Sequence, residues 1–148
     1  MLSVGDRAPD FTLPSSAGAV RLADVLRGTA VVLYFYPKDE TPGCTAEACA
    51  FRDGYEVFTQ AGAEVIGVSD DSVVAHQSFV AHHRLPFLLL SDPGGEVRRL
   101  YGVSGWLGLL RGRVTFVIDR QGIVRHVFDS QLHATRHVDE ALETIRNL

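Results

Sequence analysis

The feature that most constrains the fold is an uninterrupted apolar run, AVVLYFY, at Ala30–Tyr36. Because side chains of a strand alternate between its two faces, a run without polar positions makes both faces of the strand apolar. β-branched and aromatic residues favour a strand over a helix for so short a segment. Pro37, which cannot donate to a strand ladder, ends the run. The sequence therefore predicts an α/β fold around a central strand buried on both faces.

The segments around this strand alternate between extended and helical patterns. Before it, DFTL and AVRL predict an N-terminal β-hairpin that turns at Ser15–Gly18, and a short helix follows that ends at Gly28. After it, the predicted order is helix, strand, helix, strand, short helix, β-hairpin and amphipathic C-terminal helix. These segments lie at about 41–60, 63–69, 69–84, 87–90, 91–102, 113–128 and 138–148. The order predicts a mixed central sheet with helices on both faces.

Composition limits the classes of function. A chain of 148 residues with 46% hydrophobic residues is most simply one domain, residues 1–148. A formal charge of −4 gives no support to nucleic-acid binding, and no apolar run is long enough to span a membrane. The N-terminus has no signal-peptide pattern, so we expect a cytoplasmic protein with reduced thiols.

The two cysteines of the chain, Cys44 and Cys49, lie in the stretch PKDETPGCTAEAC. Thr41 or Gly43 opens the predicted helix, so Cys44 lies in its first turn. Free backbone N–H groups and the positive end of the helix dipole there stabilise a thiolate, the reactive form of cysteine. The alternative is that Cys44 is a small buried hydrophobic residue, as most free cysteines are.

Cys49 cannot reach Cys44 across an intact helix. Five residues correspond to a rise of roughly 7.5 Å and a rotation of about 140°, which places the Cα atoms roughly 8.7 Å apart. A disulfide needs Cα atoms within about 7 Å, so a bond between the two requires the first turns to unwind. The alternative is that Cys49 is a bystander on the flank with Arg52 and Glu56.

A zinc site is an alternative interpretation of the same cysteines. Cys44 and Cys49 together with His133 and His137 loosely resemble paired zinc ligands. The long intervening stretch and the divergent directions of the two sulfurs oppose such a site. The sequence predicts no metal or cofactor, and the remaining histidines, including His82 and His83, are interpreted as surface residues.

The sequence resembles the peroxiredoxins. PKDETPGC fits the pattern P-x-x-x-T-x-x-C, and YFYPKDETPGCTAEACAFRD is similar to the peroxiredoxin Q type, also called bacterioferritin comigratory protein. VGDRAPDFTL, LSDPGGEVRRLYGV and RVTFVID resemble the same type in the same order. The resemblance covers nearly the whole chain and implies a thioredoxin-like fold.

The resemblance also implies roles for five residues. It makes Cys44 the peroxidatic cysteine and Cys49 the resolving cysteine. It makes Thr41 a hydroxyl contact of the thiolate and the peroxide, and Pro37 a shield from bulk water. Arg113 would support the thiolate from a neighbouring strand.

A cycle follows from these roles. Cys44 reduces hydrogen peroxide or an organic hydroperoxide, Cys49 resolves the resulting sulfenic acid as an intramolecular disulfide, and thioredoxin or a similar dithiol protein reduces that disulfide. Because the resolving cysteine lies in the same chain, we expect a monomer. One departure is the apolar segment SGWLGLLRG before Arg113, which could favour bulkier alkyl hydroperoxides or could simply cover the sheet.

Two other functions stay open at this level. A thiol-disulfide oxidoreductase on the same fold would reduce disulfides without consuming peroxide, but the C-x-x-C motif it usually needs is absent from the sequence. A zinc-stabilised or protein-binding module would bind metal or be indifferent to peroxide.

Overall fold

The computed structural model describes residues 1–103 and 112–148, so Trp106–Leu110, within the apolar segment SGWLGLLRG, lies outside the described residues. The described strands are β1 Thr12–Ser15, β2 Gly18–Arg21, β3 Ala30–Phe35, β4 Ala63–Ser69, β5 Leu88–Ser91, β6 Val114–Ile118 and β7 Val124–Asp129. The described α-helices are α1 Leu22–Leu26, α2 Pro42–Gln60, α3 Val73–His83, α4 Glu96–Leu100 and α5 Arg136–Arg146. The order agrees with the sequence-based prediction; β4 has the predicted bounds, and the boundaries of the other elements differ by one to a few residues.

The described strands form one mixed sheet in the order β2-β1-β5-β4-β3-β6-β7. β3 pairs parallel with β4 and antiparallel with β6, so both of its edges are hydrogen bonded inside the sheet. β1 and β2 form the predicted N-terminal hairpin, and β6 and β7 form the second hairpin. The predictions of a mixed sheet and an N-terminal hairpin are confirmed.

β3 divides the core into two layers. Val32 and Tyr34 point to one face of the sheet, while Leu33 and Phe35 point to the other, and all four are fully buried. The first face also receives side chains from α2, α3 and α5, namely Phe51, Phe79 and Ile145. The second face receives Leu22 of α1 and Val97 of α4. Helices therefore cover both faces, which explains why no polar position interrupts this strand.

The helix that carries both cysteines begins as its sequence indicates. Thr41 is the N-cap with an extended backbone, and Pro42 occupies the first helical position, where its missing N–H group costs nothing. Cys44, Ala48 and Phe51 form the buried side of its first turns. No helix in the described part of the chain has the length and apolar character needed to cross a membrane.

Candidate active site

Cys44 lies in the first turn of α2 with only 1% of its surface exposed. The amides of Gly43 and Cys44 precede the first intrahelical hydrogen bond, which runs from Thr45 N to Thr41 O over 2.8 Å. These N–H groups and the helix dipole favour negative charge at this end of the helix. Cys44 and Cys49 are both free thiols in the structure.

Arg113 brings a positive charge to this thiol from the residue before β6. Its Nη2 donates to Cys44 Sγ over 3.3 Å, and its Nη1 donates to Glu47 Oε1 over 2.6 Å. Arg113 itself is 4% exposed, so solvent hardly screens either contact. The planar guanidinium thus bridges two residues one helical turn apart.

Gly43 makes this approach possible. A Cβ atom built on Gly43 would lie 3.0 Å from Arg113 Nη2. Any larger residue would therefore press on the guanidinium group that donates to Cys44. The glycine of the motif thus provides space for the arginine.

Glu47 is a carboxyl group with no surface exposure beside the thiol. Burial raises the pKa of Glu47 to about 8, while the Arg113 guanidinium opposes that rise. The protonated form therefore dominates at neutral pH, and the contact with Arg113 is then a hydrogen bond rather than a full ion pair. Under these conditions Glu47 does not neutralise the charge that Arg113 directs at Cys44.

His137 of α5 packs against the same carboxyl group. Its Nε2 donates to Ser130 O over 2.8 Å, and its Nδ1 lies 2.7 Å from Thr115 Oγ1 and 3.7 Å from Glu47 Oε2. Burial lowers the pKa of His137 to about 4, and the Arg113 charge acts in the same direction. A neutral ring with its proton on Nε2 accepts the Thr115 hydroxyl at Nδ1. Among the described residues, Glu47 Oε2 therefore has no hydrogen-bond partner.

Thr41 and Pro37 belong to the loop that leads into α2. The Thr41 hydroxyl donates to Lys38 O over 2.8 Å, which uses its single proton and leaves its lone pairs available. Pro37 directly follows the buried Tyr36 and is half-buried. Both residues lie in the segment that joins β3 to the helix of Cys44.

Arg98 of α4 connects this segment to Arg113. Its Nη2 donates to Tyr36 O over 2.8 Å, and its Nη1 donates to Gly112 O over 2.9 Å. Tyr36 immediately precedes Pro37, and Gly112 immediately precedes Arg113. One buried guanidinium therefore holds the backbone next to two of the residues singled out from the sequence.

A second buried network supports the same loop. Asp39 accepts from Tyr36 OH over 2.5 Å and lies 2.7 Å from His76 Nδ1, while His76 Nε2 lies 2.9 Å from Leu90 O. The Asp39 N–H also donates to Asp71 Oδ2 over 2.9 Å. The loop before α2 is thereby attached to α3 and to the strands beneath it.

Cys49 is partly buried between α2 and α3 rather than on an open flank. Its Sγ lies 3.9 Å from His83 Nδ1, and the neighbouring Arg52 donates through Nη1 to His83 O over 2.9 Å. Cys44 and Cys49 lie in one continuous helix, so the spacing argument against direct bonding applies to the folded chain.

Sequence reasoning missed several of these residues. His76 is fully buried, so its interpretation as a surface residue was wrong, and His137, considered from the sequence only as a zinc ligand, is fully buried as well. Their contacts come from residues far away in sequence, which no local pattern reveals. Glu47 could have been found, because it lies three positions after Cys44 on the face that also carries Ala48. A carboxyl group on an apolar stripe indicates a buried partner of opposite charge.

Comparisons with known proteins agree on one family. The model of the AhpC/TSA family matches residues 4–127. The protein "Peroxiredoxin Q, chloroplastic" of Triticum aestivum is 48% identical over 148 residues, which is 99% of this chain and 68% of the relative.

Solved structures give the same result for the fold. Peroxidoxin BcpB from Mycobacterium tuberculosis superposes with a TM-score of 0.93 at 41% identity, with 100% of this chain and 99% of the other covered. The bacterioferritin comigratory protein of Xanthomonas campestris, whose structure is described with its alkyl peroxide reduction activity, has a TM-score of 0.84 at 32% identity over 93% of this chain and 90% of the other. The thioredoxin-like fold is confirmed by this likeness.

The relatives contradict the expectation of a cytoplasmic protein. The relative from wheat and similar proteins from other plants are described as chloroplastic. The composition and the two thiols are compatible with any compartment that keeps thiols reduced. These features therefore never distinguished the cytosol from an organelle.

Proposed function

This chain belongs to the AhpC/TSA family and is a thiol-dependent peroxidase of the peroxiredoxin Q type, and we propose that Cys44 is the thiol that reduces the hydroperoxide. One observation carries the assignment: Arg113 Nη2 lies 3.3 Å from Cys44 Sγ, at the start of a helix and almost out of contact with solvent. A buried cysteine that served only as a hydrophobic residue would not need a guanidinium donor.

In the first step the Cys44 thiolate attacks the distal oxygen of the hydroperoxide. The S–O bond forms as the O–O bond breaks, and its electron pair leaves with the alkoxide or hydroxide, which takes up a proton to give an alcohol or water. Cys44 is oxidised to a sulfenic acid. Negative charge moves from sulfur to the leaving oxygen, so the fixed donors of Arg113 and the free amides of Gly43 and Cys44 lower the barrier.

Thr41 is proposed to orient the peroxide by accepting a hydrogen bond. Its only hydroxyl proton is donated to Lys38 O, so the oxygen has only lone pairs left to offer, as an acceptor. The O–H group of a hydroperoxide is a suitable donor to such an oxygen. Pro37, half-buried in the same loop, is proposed to limit the access of water to the reacting atoms.

In the second step the first turns of α2 unwind and Cys49 attacks the sulfenic sulfur. The disulfide forms with loss of one water molecule, whose oxygen comes from the peroxide. The continuous helix of the reduced chain explains why this step needs a change of conformation. Further oxidation of Cys44 to the sulfinic acid competes with the unwinding.

An external dithiol completes the cycle by thiol-disulfide exchange, and we propose thioredoxin or a similar protein for this role. The proposed substrates are hydrogen peroxide and organic hydroperoxides, in agreement with the alkyl peroxide activity described for the relative from Xanthomonas. Because both cysteines lie in one helix, one chain contains the complete pair, and we propose that the protein acts as a monomer in antioxidant defence.

The test is the intact mass of the reduced protein before and after one equivalent of hydrogen peroxide. The natural chain should lose two hydrogens and all free thiol. Cys49→Ser should instead gain one oxygen or more, because the sulfenic acid finds no partner, and Cys44→Ser should remain unchanged. A Cys44→Ser chain that still consumed peroxide would overturn the assignment. If the natural chain formed no disulfide after peroxide treatment, Cys49 would be a bystander.

A further inference from the structure

Glu40, His82 and His83 come together beside the second cysteine. Glu40 lies in the loop before α2, and the two histidines are the last residues of α3. His82 Nδ1 lies 3.0 Å from both carboxylate oxygens of Glu40, and His83 Nε2 lies 3.2 Å from Oε1. The three side chains thus offer one ligand atom each within 4.8 Å of one another.

The donor set and its spacing suit a transition-metal ion. Imidazole nitrogen and carboxylate oxygen both bind Zn²⁺ with bonds of about 2.0–2.2 Å, which places ligand atoms roughly 3.3 Å apart around a tetrahedral ion. The observed separations of 3.0 and 3.2 Å are close to that value. Consecutive residues of a helix normally point about 100° apart. Here the rings of His82 and His83 instead lie against each other, with centroids 4.1 Å apart.

A second observation points to a ligand at this place. His83 Nε2 is buried and has no hydrogen-bond partner among the described residues, although Glu40 Oε1 is only 3.2 Å away. A buried polar atom without a partner costs free energy, and a metal ion bound to this nitrogen would remove that cost. The other ring nitrogen, Nδ1, lies 3.9 Å from Cys49 Sγ. Metal-bound histidines commonly use their second nitrogen in such an outer contact.

We propose that Glu40, His82 and His83 form a binding site for a divalent transition-metal ion of the Zn²⁺ type, with water completing the coordination. The site differs from the zinc site of Cys44, Cys49, His133 and His137 considered from the sequence, because it uses neither thiol as a ligand. Metal binding requires unprotonated imidazoles, so the affinity falls as the pH decreases. The competing account of the same geometry is an ion pair between protonated histidine and Glu40.

Such a site would connect the loop before α2 to the end of α3 across the position of Cys49. Unwinding of the first turns of α2 displaces the loop that carries Glu40 relative to α3. A bound ion would therefore oppose the unwinding and slow disulfide formation, a consequence that rests on the function proposed above. Oxidation of Cys44 itself precedes the unwinding and would be affected less.

Zinc binding is tested by calorimetric titration of a chain that carries Cys44→Ser and Cys49→Ser, so that no thiol binds the metal. We expect one Zn²⁺ per chain. Adding His82→Ala should weaken binding by more than about tenfold, since even an outer contact of a metal ligand is worth that much. His82 is 65% exposed, so this change leaves the core intact. His133→Ala, an exposed histidine elsewhere, is the matched control and should bind zinc normally.

Absence of zinc binding, or equal binding by the His82→Ala chain, would overturn the site in favour of the ion pair. In the same thiol-free chains, hydrogen exchange of the amides at 40–49 tests whether bound zinc opposes the unwinding of the first turns of α2. Zinc should slow this exchange only when His82 is present, and unchanged exchange with zinc bound would overturn the coupling to helix unwinding. Neither readout depends on peroxide chemistry, so a negative result would not contradict the proposed peroxidase function, which the intact-mass measurement tests separately.

Discussion

At the scale of single residues, Arg113 is the group through which positive charge reaches the proposed nucleophile. It contacts Cys44 and Glu47 at the same time, and Glu47 is predominantly protonated at neutral pH because of its burial. The guanidinium charge is therefore directed mainly at the Cys44 sulfur. In the proposed mechanism, the reactivity of Cys44 therefore depends on one side chain that is 69 residues away in sequence.

Replacing Arg113 should reduce both the thiolate fraction and the rate of oxidation. For Arg113→Ala we expect peroxide to react about 100-fold more slowly, the usual effect of removing one fixed donor from a transition state. Arg113→Lys keeps the charge but cannot bridge two residues, so it should lie between alanine and the natural chain. The measurements are rapid-quench mass spectrometry and the ultraviolet absorbance of the thiolate. An unchanged thiolate titration in Arg113→Ala would contradict this role.

Thr41 should affect the rate without affecting the thiolate. Thr41→Val keeps the shape of the side chain but removes the oxygen that is proposed to accept from the peroxide. Oxidation should slow by about tenfold, equivalent to one hydrogen bond of about 1.4 kcal/mol. Thr41→Ser should react normally. Equal rates for the valine variant and the natural chain would exclude the hydroxyl from the reaction.

At the scale of elements, α2 carries both cysteines, and in the proposed cycle it keeps Cys49 away from Cys44 until its first turns unwind. Ala46 lies between the cysteines on the exposed side of the helix. Ala46→Gly should destabilise the helical form by about 1 kcal/mol, which makes unwinding about fivefold more frequent. Disulfide formation after a pulse of peroxide should accelerate by the same factor, while oxidation of Cys44 stays unchanged.

The matched control for this change is Glu56→Gly. Glu56 is also exposed in α2 but lies beyond Cys49, outside the turns that have to unwind. It should lower the overall stability of the chain without accelerating disulfide formation. Acid quenching followed by mass spectrometry separates the sulfenic and disulfide forms. If Ala46→Gly left the resolving rate unchanged, unwinding of the first turns would not limit that step.

The secondary-structure elements could be predicted from the sequence, whereas several contacts between them could not. Elements such as β3 and α2 were predictable because their apolar periodicity reflects burial on two faces or on one. Cys44 and Arg113 were recognisable from a family motif, whereas the contact of His137 with Glu47 depends on how α5 docks onto α2. Likewise, Glu40 and His82 meet only because α3 ends beside the loop before α2. Such pairings come from tertiary packing, which periodicity along the chain does not encode.

At the scale of the whole molecule, Arg98 joins parts that are distant in sequence. It donates to Tyr36 O, just before the loop that leads into α2, and to Gly112 O, just before Arg113. These bonds set the position of Arg113 relative to Cys44 without touching the reacting atoms.

Arg98→Lys should therefore slow the oxidation of Cys44 by about tenfold, since a lysine cannot donate to both carbonyl groups in the same geometry. The neighbouring Arg99→Lys is the matched control, because Arg99 is exposed and donates to Gly94 O on the surface. The thiolate titration of Cys44 should change with the rate in Arg98→Lys. If only the thermal stability changed, Arg98 would be structural and not a positioning residue.

Glu47 links the site to the stability of the entire fold. Its pKa is about 8 in the folded chain against an ordinary value of 4.5, so above pH 4.5 the native state binds a proton that the unfolded state releases. Stability must therefore fall as the pH rises toward 8. His137 has a lowered pKa and loses its contribution only below its ordinary value of 6.5, so the range above pH 6.5 isolates Glu47.

Between pH 6.5 and pH 8, the unfolding free energy of the chain with Glu47 should fall by up to about 2 kcal/mol, at about 1.4 kcal/mol per pH unit, because the folded state holds a proton that the unfolded state has released. Glu47→Gln keeps the shape and the acceptor for Arg113 but cannot titrate, so its stability should be flatter with pH. Both chains carry Cys44→Ser, so the neighbouring thiol is absent from the comparison. Urea unfolding at the two pH values gives the comparison. Parallel pH profiles would mean that Glu47 is ionised throughout, and the charge of Arg113 would then be shared between the carboxylate and the thiolate.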